Sequence, residues 1–98
     1  MKLPHRLLPE AEQELEHAFD WYEQHKKGLG KRFLSAVRRV IKGIASQPKM
    51  HAIVYRDVWK AVVARFPFLV LYREDLGELI VVSVFHTSRD PAEWQSRV

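Results

Sequence analysis

The sequence predicts an α+β fold: an N-terminal antiparallel helical hairpin packed on one face of a small, mainly antiparallel β-sheet. Three observations predict it. Apolar residues recur at helical spacing through the first half; after Pro48 the period falls to two or to continuous apolar runs; and the connections between segments are short. With 98 residues, 47% hydrophobic and 29% charged, the chain has the size and composition of one globular domain spanning residues 1–98.

The first helix is expected over about residues 9–26. Leu8, Ala11, Leu15, Ala18, Phe19 and Tyr22 form its apolar stripe, Pro9 suits the first turn, and acids sit near the positive end of the dipole. It should stop at Lys26-Lys27-Gly28, where cations meet the carbonyl end and glycine can turn left-handed. A second helix follows from about Leu29 to Ser46. Phe33, Val37, Val40, Ile41 and Ile44 line one side of it, and Lys31, Arg38, Arg39 and Lys42 lie around the other. A turn this short makes the pair an antiparallel hairpin.

The segments HAIVYR, VWKAVVARF, FLVLYRE and ELIVVSVF read as strands, separated by Asp57, by Pro67 and by the turn Glu74-Asp75-Leu76-Gly77. Short connections favour an antiparallel meander. Residues Lys2 to Leu7 can add an edge strand, although Pro4 removes one ladder donor. The tail segment PAEWQSR reads as a short helical turn. Because the later strands are apolar on both sides, the face away from the hairpin needs a cover, from the tail carrying Trp94 and from a partner.

The lack of cysteine excludes disulfides, thiolate chemistry and Cys-ligated zinc. No secretory h-region opens the chain and no run approaches the roughly 18 apolar residues of a membrane helix, so the expected location is the cytoplasm, with no membrane partner. A phosphate-binding glycine loop, a nucleophile elbow and a metal-ligand spacing are all missing from the sequence; neither a cofactor nor a metal is expected.

Charge is unevenly spread. Glu10, Glu12, Glu14, Glu16, Asp20 and Glu23 crowd the first helix, where they are expected to form a solvent-facing arc. Between Lys26 and Arg73 the only acid among many Lys and Arg residues is Asp57. Such a stretch projects a positive field that attracts nucleic acid or an acidic protein. Arg38, Arg39, Lys60 and Arg73 are the candidates for binding phosphate or nucleic acid; a solvated basic face would use the same residues.

The residues that could carry chemistry are Arg65 and Arg73 at strand ends, His86 at the end of the last strand, and Arg89 just beyond. Whether they converge is left open by the sequence. Together they suit RNA cleavage by transesterification. A base takes the ribose 2′-proton, the oxygen attacks phosphorus, an acid protonates the leaving oxygen, and arginines hold the phosphate. The same residues also fit structural roles. His86 could bond Asp90 or a carbonyl, the arginines could pair with Glu74 or Asp75, and Trp94 could simply cover the core.

The order LLPEAEQELEHAFDWYE, GLGKRF, a basic helix ending at QP, RFPFLVLYRED and VFHTSRDPAEWQSR resembles small toxins of the RelE/ParE superfamily from bacterial type II toxin–antitoxin modules, over almost the whole chain. The resemblance implies the hairpin-on-sheet fold and a cognate acidic antitoxin encoded next to the toxin. It also implies one of two activities. RelE-like members inhibit translation by ribosome-dependent mRNA cleavage without a metal, and ParE-like members inhibit DNA gyrase without cutting anything. Arg65, His86 and Arg89 occupy positions that resemble the family's functional arginine, strand-end histidine and following basic residue, so they are the catalytic candidates. Trp94 stands where RelE-like nucleases are expected to carry a tyrosine. Translation inhibition is the first expectation, gyrase inhibition the second, and a non-toxic basic binding module the third.

Overall fold

The computed structural model describes residues 2–98. Strand β1 (His5–Leu7) leads into helices α1 (Pro9–His25) and α2 (Leu29–Ser46), then strands β2 (Ala52–Tyr55), β3 (Val58–Val62), β4 (Phe68–Asp75) and β5 (Glu78–His86), and a closing turn of helix α3 (Ala92–Gln95). The sheet order is β1-β5-β4-β3-β2. All its pairings are antiparallel except that of β1 with β5. The fold is thus α+β, with a helical hairpin on a mainly antiparallel sheet. No helix among the described residues is long and apolar enough to cross a membrane.

Helix α1 begins on Pro9, with Glu10 and Glu12 in its first turn where the dipole favours acids. Gly28 turns the chain at φ 88°, a left-handed conformation that costs glycine little. A cap for α2 comes from α1 instead of from Gly28. The Glu23 carboxylate accepts the amides of Gly30 at 2.9 Å and Lys31 at 3.3 Å. Hydrogen bonds from these backbone N–H groups, that of Gly28 foremost, hold the Glu23 carboxyl below its ordinary value of 4.5. Gly30 is needed for the approach: a Cβ there would lie 2.6 Å from both the Phe19 carbonyl oxygen and Glu23 Cγ.

The buried stripe Phe33, Val37, Ile41 and Ile44 of α2 packs with Ala11 and Ala18 of α1 onto Ala61, Val70, Tyr72, Val81 and Val84 of the sheet. On the opposite face Val58, Leu71, Val82 and Phe85 are covered by Trp94 of α3, with Leu8, Tyr55 and Val98 around them. Tyr72 donates its hydroxyl to the Pro48 carbonyl at 2.7 Å, and burial pushes its phenol up to about 12, so it remains a donor. The turn between β4 and β5 is a two-residue loop with positive φ at both Leu76 and Gly77, matching the twist of a tight hairpin.

One strand is shorter than its apolar run suggests. The expected strand over VWKAVVARF ends at Val62, and residues 64–67 form the loop of a hairpin closed by the Val63 amide on the Phe68 carbonyl at 3.0 Å. Arg65 takes the left-handed position of this loop, at φ 69°. Phe66 keeps the loop in place by packing edge-on against Tyr22 and Phe33, with centroids 5.1 and 5.2 Å away.

Candidate functional site

Register places the candidate residues at two ends of the sheet. Phe68 at the start of β4 pairs with His86 at the end of β5, and the Thr87 amide continues the contact by donating to the Pro67 carbonyl at 2.9 Å. Arg65, His86 and Arg89 therefore share one end. Arg73 lies toward the other end, opposite Ile80 and next to Tyr72 on β4, where it forms an ion pair with Asp57 at 2.9 Å. Asp57, not the expected Glu74 or Asp75, is its acid.

The remaining cations do not join the His86 end. Lys60 stands exposed mid-strand, alternating with Ala61, so it projects from the face that carries α3. Arg38 and Arg39 are exposed on α2. Arg38 lines a separate shallow groove of about 440 Å³ with Lys2, His5 and Lys42 over the apolar floor of Leu3, Ile41 and Ala45. The cations suggested by the sequence are thus distributed over four surfaces.

His86 is half-buried and its ring meets Phe68 edge-on at 5.0 Å. Its Nδ1 lies 3.1 Å from the Ser88 amide and 2.8 Å from the Ser88 hydroxyl. A backbone N–H can only donate, so Nδ1 is the acceptor and the neutral ring carries its proton on Nε2. Asp90 is not its partner. That carboxylate instead accepts the Ala92 amide at 3.0 Å and starts the turn that brings Trp94 onto the core.

Between α1 and this end of the sheet lies a half-open cleft of about 520 Å³. His86, Ser88 and Arg89 form one wall, and His17, Trp21 and Tyr22 of α1 the other. Arg65 does not line it. Trp21 is 55% exposed, with one neighbour stacked on it, the His25 ring at 3.7 Å. Among the described residues no cluster of three or more histidines and acids could hold a metal ion.

At the base of the cleft is a cluster that the sequence did not suggest. Strand β1 pairs with β5 only as far as Val81. Beyond it the β5 edge is closed by Glu14, whose Oε1 accepts from Ser83 Oγ at 2.9 Å and from the Val84 amide at 3.2 Å. Arg97 forms an ion pair with Glu14 at 3.0 Å and donates to the Val82 carbonyl at 3.1 Å. Both side chains are largely buried, which corrects the expectation that Glu14 belongs to a solvent-facing acidic arc. The signal that could have found Glu14 is its position one turn from Ala11 and Ala18, which places it on the buried side of α1.

A helical hairpin on a small, mainly antiparallel sheet is the class of fold to which the comparisons point. The sequence matches the family described as "ParE toxin of type II toxin-antitoxin system, parDE" over residues 6–91. A solved structure described as "Chromosomal ParDE TA system from P. aeruginosa" shares the fold with TM-score 0.78 at 13% identity, covering 89% of this chain and 98% of that one. No curated protein matches the sequence. The chain belongs to the ParE toxin family, within the RelE/ParE superfamily of type II toxins.

Proposed function

We propose that this toxin arrests growth in the cytoplasm by binding DNA gyrase, acting as one domain that cuts no nucleic acid itself. The observation that carries this reading is the hydrogen bond from the Ser88 amide to His86 Nδ1. Nδ1 accepts the Ser88 amide, so a neutral ring carries its proton on Nε2 and keeps no free lone pair with which to deprotonate a ribose hydroxyl, which favours holding a partner over cutting. Dispersal of the cations supports the same reading, because a transesterification centre needs its acid, base and phosphate clamp within reach of one phosphorus. Arg65, His86 and Arg89 then serve as contacts at one end of the sheet.

Ribosome-dependent mRNA cleavage is the second reading, favoured by one observation: two imidazoles, His17 and His86, line one cleft with Arg89. The two readings separate in purified components. The first expects the 98-residue chain to block supercoiling by gyrase and to leave ribosome-bound messenger intact; cut messenger with unaffected supercoiling would establish the second.

The partner we infer is an antitoxin with an acidic amphipathic segment. Met50, Ile53, Val54 and Val62 are exposed apolar residues around the free edge of β2, and Lys49 and Lys60 accompany them. An acidic segment laid here would cover apolar surface and match charge together. Co-purification with the product of the adjacent gene, lost at high salt when Ile53→Asp is introduced, is the expected outcome. Unhindered growth on expression of the chain alone would instead favour a non-toxic binding module.

A further inference from the structure

We propose that the cleft between α1 and the end of β5 is a binding site for a small aromatic anion of the size and kind of a free nucleoside monophosphate. This site stands independently of which macromolecule the toxin attacks.

Its polar groups favour an anion. The only carboxylate lining the cleft, Glu14, is committed to Arg97, Ser83 and the Val84 amide. The other groups along it that can donate to an anion include the Arg89 guanidinium and the His17 and His86 rings, and His86 Nδ1 already accepts the Ser88 amide. Among the described residues Arg89 takes part in no ion pair. A guanidinium beside a ring N–H matches the oxygens of a phosphate.

Its apolar groups favour a flat ring. Ala18, Phe68 and Val84 are the buried apolar lining, and the exposed Trp21 stands with Tyr22 on the α1 wall. Trp21 is more than half exposed and has His25 stacked on one face, which leaves its other face for a base. The volume of about 520 Å³ falls within the range of small-molecule sites, about 300–1,000 Å³.

Charge outside the cleft decides between a free nucleotide and a strand. Glu16 and Asp20 are exposed on α1 beside His17 and Trp21. A polyanionic strand continuing past the cleft would meet these carboxylates, whereas a single nucleotide places its charge at Arg89 and stops.

The test is a titration of the ¹⁵N-labelled full chain with 5′-AMP, adenosine, inorganic phosphate and a 5′-phosphorylated single-stranded hexanucleotide, following the Trp21 indole N–H and the Val84 amide. Trp21→Phe assigns the indole signal. The expected result is saturable shifts with 5′-AMP, at least about tenfold weaker binding of adenosine and of phosphate, and about a tenfold loss in Arg89→Ala or Trp21→Ala with an unchanged melting temperature. Adenosine binding as well as 5′-AMP, no saturable shift at millimolar nucleotide, or binding that survives both substitutions would overturn the proposal. Tighter binding of the hexanucleotide than of 5′-AMP would overturn it as well, by making the cleft part of a strand-binding surface.

Discussion

The two ends of the sheet treat charge in opposite ways. At the end where β4 turns into β5, cations are consumed by the fold: Arg73 is paired with Asp57 and Arg6 with Glu78. At the other end Arg65 and Arg89 have no ion pair among the described residues, and His86 is oriented by its neighbour Ser88 with its second nitrogen left free. Paired charges help to place strands; unpaired donors on a fixed frame are available to a ligand. Between the two ends, Glu14 and Arg97 form a buried pair whose job is to close the part of the β5 edge that β1 does not reach.

The largest effect is expected at that pair. Glu14→Ala leaves the Arg97 charge largely buried and the Val84 amide without its acceptor. It should cost about 3 kcal/mol and lower Tm by roughly 10 °C or more in thermal unfolding. If the loss is no greater than that of an exposed pair, the β5 edge is closed by something other than this cluster.

Arg65 gives the next largest effect, of opposite sign. An arginine at φ 69° is strained by of order 1 kcal/mol relative to glycine, and Phe66 already anchors the loop, so Arg65→Gly should stabilise the fold by up to about 1 kcal/mol. Toxicity should nevertheless fall. A variant that is more stable and less toxic places the guanidinium among the target contacts; one that is more stable and equally toxic removes it from them.

Asp57→Asn at the charge-consuming end should cost less than about 1 kcal/mol, because the pair with Arg73 is more than one-third exposed on both sides. Toxicity should not change.

The acid limb of the stability curve isolates Glu23. Its folded value lies below its ordinary one, so the stability it contributes is present above the ordinary value of 4.5 and is lost as pH falls through the lower, folded value. Glu23→Gln should lower Tm modestly at neutral pH and flatten its fall below about pH 4.5, so that the two proteins converge in acid.

These contrasts follow how far the fold and site could be read from residues. Both helices were legible nearly to the residue, because Pro9, Gly28 and a four-residue apolar period mark them with independent signals. The hairpin at residues 64–67 was legible only in part: Pro67 marked the break between two strands, but the first strand was carried on to Phe66 because arginine, not glycine or asparagine, takes the left-handed position. His86 and Arg89 were legible as candidates from their place after the last strand. Their neighbours Trp21 and His17 lie on a helix read as merely amphipathic, and the Glu14–Arg97 pair joins residues 83 apart in sequence, a distance over which neither composition nor period carries a signal.

The claim that the free end of the sheet binds and does not cut rests on one proton, and long-range ¹H–¹⁵N correlation spectroscopy of the His86 imidazole, recorded at a pH where the ring is neutral, locates it. The account predicts a protonated Nε2 and an unprotonated Nδ1 held by Ser88. A proton on Nδ1, with a bare Nε2, would contradict it and return His86 to the role of a general base.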